Sequence, residues 1–363
     1  ALLGCLEMIK SGTTCFADQY FHMNQVAGAV ERSGMRAVLA QGVLELGDSE
    51  KGREQLKEAA DFAKEWNGKV EGRIRCKIGP HAIYSCSTRL LKEARQIANE
   101  IGVGLHIHLA EAPNEIKMVK EKCGRTPTEH LANIDFLSSD VLAAHCTFVE
   151  NSDIEILRKT GTGVSHCPST AMKYGGGISP VPDLVRKGVS VGIGTDGCGS
   201  NNNLDMIEEM RTAAFLHKLN RKDATVLPAR TMLRLATIGS ATAVGLQSEV
   251  GSLEVGKKAD MILVDFGKPH LTPFHNVTGH LVYSSFGSDV HTTIIDGEIV
   301  MENRQVRTLD EEEVMREAQL QFERLLERGG WSPTMENPSS SFRSAVSVKL
   351  IESYMKIMQT LRG

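Results

Sequence analysis

The chain has 363 residues, 41% apolar and 24% charged, with a formal net charge of −4. This is the composition of an ordinary folded globular protein. Without a basic balance, and with only 5% aromatic residues, neither nucleic acid nor an anionic membrane is expected as a partner. No apolar run approaches the roughly 18 residues that would suggest a membrane span.

In chain order, Ala1–Lys10 reads as the middle of an amphipathic helix, so the start reads as cut or incomplete. No signal peptide is visible. Strand candidates follow at Thr13–Gln19, Arg36–Val43, Ile74–His81, Gly104–Ala110, Val141–Phe148, Gly163–Cys167 and Val189–Thr195. Helical patterns lie between them at Asn24–Gly34, Lys51–Trp66, Ser87–Ile101, Ala112–Lys122, Ser152–Thr160 and Val181–Lys187. Strands alternating with helices imply βαβ units and a parallel sheet covered on both faces. The expected fold is therefore α/β, a (β/α)8 TIM-type barrel whose first strand is apparently missing.

Two helices, about Asn203–Leu219 and Pro228–Val244, are expected next. The composition then shifts at the turn-rich Gly251–Asp260. Strands are expected at Met261–Val264, Val282–Ser284 and Val290–Ile295, with Asp296-Gly297 turning a hairpin into Glu298–Val300. The expected organisation is a barrel over 1–248, a small and incomplete β-sandwich domain over 249–306, and a helix within 307–328. An extension over 329–363 carries a helical pattern at Val346–Leu361.

Eight cysteines are scattered without a CxxC pair. Reduced, mostly buried thiols and a cytoplasmic location are the expectation. Gly192, Gly194 and Gly197 satisfy GxGxxG, but no acidic residue ends a following strand about 20 residues on, so a dinucleotide site is rejected.

Chemistry-bearing residues gather at the strand ends. His106 and His108, two residues apart, share a strand face, and Glu111 follows where the strand gives way to a loop. A glutamate there can move a proton to and from a substrate. His145 lies one strand later, close enough across a sheet to face the same cavity. Asp196 ends the last barrel strand, where a carboxylate needs a cationic or metal partner. His81, Ser200 and Arg53 are further polar residues near strand ends, for which a plain surface role is the alternative.

These residues occur in Gly79-Pro80-His81, His108-Leu109-Ala110-Glu111, Ala144-His145-Cys146, Ser165-His166-Cys167-Pro168, Gly194-Thr195-Asp196-Gly197 and Ser200-Asn201-Asn202. With Gly251–Asp260 and Asp18-Gln19-Tyr20-Phe21-His22, the set resembles the amidohydrolase superfamily in its branch of aminopurine deaminases and chlorohydrolases. The resemblance runs from Ala1 to about Leu326. It implies His108 and Asp196 as ligands of one divalent metal, zinc first and iron as the alternative. It implies Glu111, His145 and Asp196 as catalytic, and His81, Arg53 and Ser200 as substrate-binding. It further implies hydrolytic deamination of an adenosine-like heterocycle of the methylthioadenosine and adenosylhomocysteine class; the apolar content of such barrels adds the expectation of a homo-oligomer. Two alternatives stand beside this: a chlorohydrolase or other aminohydrolase of the same branch, and an inactive relative lacking the first-strand HxH ligands. The chain departs from the pattern at that HxH, at Gln41, where an arginine tends to stand, and at Thr170-Ala171, in place of the usual asparagine.

Overall fold

The computed structural model describes residues 1–330. Seven strands form one all-parallel sheet: β1 (Cys15–Tyr20), β2 (Arg36–Val43), β3 (Ile74–Pro80), β4 (Gly104–Leu109), β5 (Val141–His145), β6 (Gly163–His166) and β7 (Val191–Ile193). They pair in chain order, so β1 and β7 are the outer strands of the described sheet. Helices connect them: α1 (Leu2–Ser11) precedes β1, α2 (Met23–Ser33) follows it, and α3 (Ser49–Trp66) follows β2. α4 (Thr88–Ile101) follows β3, α5 (Pro113–Cys123) and α6 (Pro127–Asn133) follow β4, and α7 (Asn151–Thr160) follows β5. α8 (Pro168–Tyr174) and α9 (Val181–Lys187) lie between β6 and β7.

Local sequence explains these boundaries. β2 is buried at seven of its eight positions, as a strand covered on both faces must be. α4 begins where the Ser87 side chain accepts from the Leu90 N–H and ends at Gly102 in the left-handed conformation. Its inward face is Leu90, Leu91, Ala94 and Ala98, a helical stripe. Because every strand runs the same way, all seven C-terminal ends open on one rim, where β/α barrels build their sites.

After β7 come α10 (Met206–Arg221) and α11 (Ala229–Arg234), which continues through a π-helical turn at Leu235–Gly239 into α12 (Ser240–Val244). A second sheet is antiparallel, in the order β11-β10-β9-β8. Its strands are β8 (Met261–Val264), β9 (Val290–Ile295), β10 (Glu298–Glu302) and β11 (Gln305–Val306). The β9–β10 turn has positive φ at Asp296 (52°) and Gly297 (87°), as a two-residue hairpin requires. The two sheets are joined by a buried ion pair. Arg36, at the start of β2, donates Nε and Nη2 to Asp260 at 2.7 and 2.9 Å, and Asp260 also accepts from the Asp296 N–H at 2.8 Å.

Three features depart from the sequence expectation. Val282–Ser284 is not a strand: Val282 lies inside α13 (Val277–Tyr283), which packs on α10 and α11. The Asn276 side chain caps that helix by accepting from the Gly279 N–H, a local start signal that outweighs the β-propensity of Val282 and Tyr283. α6 was not anticipated from periodicity, although Thr126-Pro-Thr-Glu129 forms a full capping box with proline at its first turn. α8 is likewise additional. The last helix, α14, spans Glu311–Gly329. The expected helix at Val346–Leu361, and the extension beyond Gly330, lie outside the described residues.

Candidate active site at the strand ends

β3 ends at Pro80, and the next residue, His81, anchors to β2 through its N–H and the Val43 carbonyl at 3.0 Å. Gly79 is required by packing, since a Cβ there would sit 2.7 Å from the Gln41 carbonyl oxygen. The His81 carbonyl accepts twice from His108, at 2.9 Å from the backbone N–H and 3.0 Å from Nδ1. His108 therefore carries its proton on Nδ1, and Nε2 is left with a lone pair. The side chain of His81 is held in turn: the Ser85 hydroxyl donates to the Ala82 carbonyl at 3.1 Å, and His81 Nδ1 lies 2.9 Å from that hydroxyl oxygen.

The β4–β5 register places Leu109 opposite His145. The His108 and His145 rings stack at 5.4 Å between centroids, 21° from parallel. The His81 ring lies 4.7 Å from that of His108 between centroids. Glu111 Oε1 is 3.7 Å from His145 Nε2. The structure thus brings His81, His108, His145 and Glu111 together. Asp196 belongs to the same electrostatic group, because its charge acts on His108 from beyond β7.

The backbone here is unusual. Ala110, His145, Cys146 and Asp196 all have positive φ, at 51°, 71°, 49° and 60°. Each such residue with a Cβ costs about 1–2 kcal/mol. The turns are secured by hydrogen bonds: Cys146 N–H to the Leu109 carbonyl at 3.0 Å and Phe148 N–H to the Ala110 carbonyl at 2.9 Å. Strain of this kind gathers where side chains must leave the strand direction to face a common point.

Burial dominates the electrostatics. It pushes His81 down to about 3, helped by His108 and His145. It also holds His108 below the usual imidazole range, helped by His145 and opposed by Glu111 and Asp196. His106, buried one step lower on β4, is held well below that range, and its Nδ1 has no partner. The site therefore presents neutral imidazoles with lone pairs beside carboxylates. On β1, burial and the Asp196 charge raise the Asp18 carboxyl to about 6. The two outer strands of the sheet thus share one electrostatic field.

Two expected residues are placed apart from this group. Arg53 is exposed on the second turn of α3 and borders the groove between α3 and α4 with Leu56 and Ile97. Ser200 lies on the loop after Asp196, where its Oγ accepts from the Tyr174 hydroxyl of α8 at 3.3 Å.

Glu115, Glu209 and His217 were not singled out by their sequence pattern, and His166 and Asn201 were quoted only within motifs, without a role. Buried Glu115 accepts from the Ala110 and Glu111 N–H groups. Buried Glu209 accepts from Asn201 Nδ2 at 2.6 Å, and Asn201 also holds the Thr195 carbonyl at 2.9 Å. His166, at the end of β6, lies Nε2 to Nε2 at 3.1 Å from His217 of α10. The only sequence signal for Glu115 and Glu209 was a carboxylate on an apolar helical face, which is costly unless it is hydrogen-bonded.

A family model described as the amidohydrolase family matches residues 1–300. The chain belongs to the amidohydrolase family. Among amidohydrolase relatives, it is 51% identical over 328 residues to a 5'-deoxyadenosine deaminase of Methanosarcina acetivorans, covering 90% of this chain and 76% of that protein. It is 50% identical over 327 residues to a 5-methylthioadenosine/S-adenosylhomocysteine deaminase of Pelotomaculum thermopropionicum, covering 90% and 75%. Among solved structures, an adenosine deaminase from Xanthomonas campestris with bound zinc superimposes with a TM-score of 0.83 at 30% identity, over 89% of this chain and 73% of that one. The β/α barrel read from the strand–helix alternation and the amidohydrolase family read from the motifs are thus both those of this chain, with its small antiparallel sheet beside the barrel. Among the described residues no helix is long and apolar enough to cross a membrane.

Proposed function

We propose that this amidohydrolase is a divalent-metal hydrolase that deaminates an adenosine-like nucleoside of the methylthioadenosine, adenosylhomocysteine and 5'-deoxyadenosine class, releasing ammonia. The observation that carries this reading is the Glu111–His145 contact of 3.7 Å beside the His108 ring. It sets a carboxylate against an imidazole whose ring stacks on that of His108, the residue with a metal-capable nitrogen.

The donor chemistry fits such a metal. His108 presents Nε2 because Nδ1 is spent on a backbone carbonyl, the usual outer-shell support of a ligating imidazole. Asp196 adds a hard carboxylate oxygen. Among the described residues no group of three or more His, Cys, Asp or Glu is arranged to hold an ion; the two donors assigned here are His108 and Asp196. Zinc suits an imidazole and carboxylate pair, and iron is the alternative. When bound, the ion supplies Lewis acidity that brings the pKa of water from 15.7 down to about 7.

The chain's own groups do the rest. Glu111 protonates the ring nitrogen beside the amino-bearing carbon, so that negative charge does not build there as the water oxygen adds. His145 hydrogen-bonds the attacking oxygen and keeps it facing that carbon. Asp196 takes one proton from the attacking water and passes it to the departing amino group, which leaves as ammonia, while the remaining hydroxyl proton returns to Glu111 as the carbonyl forms. His81, with its proton on Nδ1 toward Ser85, offers Nε2 as an acceptor to the substrate. Arg53 and Ser200 are assigned to the parts of the nucleoside farther from the ring.

The test is ammonia release from 5'-deoxyadenosine, methylthioadenosine, adenosylhomocysteine and adenosine, with chloride release from a chlorinated triazine run in parallel. Ammonia from at least one nucleoside is the expected result. Chloride alone would move the chain to the chlorohydrolases, and no turnover with zinc or iron supplied would make it an inactive relative.

A further inference from the structure

Glu115 lies in the first turn of α5, and its residue is 2% exposed. Both of its carboxylate oxygens are used: Oε1 accepts from the Ala110 N–H at 3.0 Å and Oε2 from the Glu111 N–H at 2.9 Å. These are successive amides at the bend where β4 ends. Ala110 occupies the left-handed region at φ 51°, which an alanine adopts only when its surroundings impose it. Its carbonyl is held on the opposite side by the Phe148 N–H of the β5 loop at 2.9 Å. The bend is thus gripped from both sides, and it turns Glu111 out of the strand toward His145.

We propose that Glu115 is a positioning residue for Glu111: its carboxylate, bonded to the two amides of the Ala110 bend, holds the Glu111 side chain within reach of His145 and of the reacting ring. The proposal rests on the deaminase reading for its kinetic consequence, but not for its structural one. A buried acid with no catalytic neighbour would be a liability, because a carboxyl desolvated this deeply is expensive. Here it replaces water as the acceptor for two N–H groups that α5 shields from solvent, and a single side chain fixes two consecutive peptide planes. An apolar side chain of equal size would leave both donors orphaned and the bend free to relax toward an ordinary strand exit.

Two measurements test this. The first needs no activity: hydrogen exchange of the segment 109–112 in the purified protein. Glu115→Ala should speed exchange there by at least about tenfold while β2 and β9 keep their protection. Glu115→Gln, with one acceptor oxygen in place of two, should fall between it and the parent. The second is kinetic. Glu115→Ala should lower kcat by roughly 10²-fold, as loss of a correctly placed proton carrier does, with KM and metal content within about twofold.

In a Glu111→Gln background, Glu115→Ala should cost little more, because two residues acting as one unit are not additive. Losses that multiply in the double variant would overturn the proposal, as would unchanged exchange at 109–112. A protein that releases no ammonia from any nucleoside would defeat the deaminase reading alone, and the exchange measurement would still decide the role of Glu115.

Discussion

One carbonyl oxygen, that of His81, accepts both the backbone N–H and the ring Nδ1 of His108, at 2.9 and 3.0 Å. The backbone bond continues the β3–β4 ladder beyond the end of β3, and the ring bond selects the tautomer. The same atom that ties the strands together therefore decides which nitrogen of His108 is free to bind a metal. His108→Ala should lower occupancy by zinc or iron, measured by elemental analysis after dialysis. Full occupancy in that variant would remove His108 from the ligand set.

Glu111 is a third exposed and touches His145 rather than any structural partner, so its loss should be felt in chemistry and not in folding. Glu111→Gln should keep metal content and melting temperature while cutting turnover by at least about 10²-fold. Turnover equal to that of the parent would take Glu111 out of the mechanism.

Glu209 gives stability a pH dependence. Burial raises its carboxyl from 4.5 to about 7, against the lowering effect of its bonds to Ser169 and Asn201. Between those values the folded chain binds a proton that the unfolded chain has released. The contribution is thus complete below the unfolded value and is lost as pH rises through about 7. Glu209→Gln has no such titration. The stability of the parent relative to this variant should fall by up to roughly 3 kcal/mol from pH 4.5 to pH 8. Urea unfolding of both proteins at the two pH values measures it, and a difference independent of pH would contradict the assignment.

The Arg36–Asp260 pair should matter far more than any surface ion pair. The two side chains are 1% and 2% exposed, and removing one partner leaves a buried charge without compensation. Asp260→Ala should cost about 3–5 kcal/mol, seen as a lower urea midpoint. A surface pair such as Lys57–Asp61, exposed and screened by solvent, should contribute far less. Equal effects at the two sites would show that Arg36 finds water or another acceptor.

Much of this protein is written locally. Arg36–Val43, Val181–Lys187, Met261–Val264 and Val290–Ile295 run in the structure over the spans their periodicity and turn residues indicate. A strand or helix is chosen largely by neighbours a few residues away. Strand–helix alternation likewise dictates a parallel sheet, and hence one rim carrying His81, His108, Glu111, His145 and Asp196. What the sequence could not decide depends on partners distant in the chain. Register sets His145 opposite Leu109. The packing of α10 brings His217 to His166 and Glu209 to Asn201. Val282 became helical because Asn276 capped the turn and α10 and α11 covered its face. Whether a buried carboxylate is a liability or a clamp is likewise settled only when folding brings, or fails to bring, N–H groups to its oxygens, because its energy in the interior is set by those partners and not by its own identity.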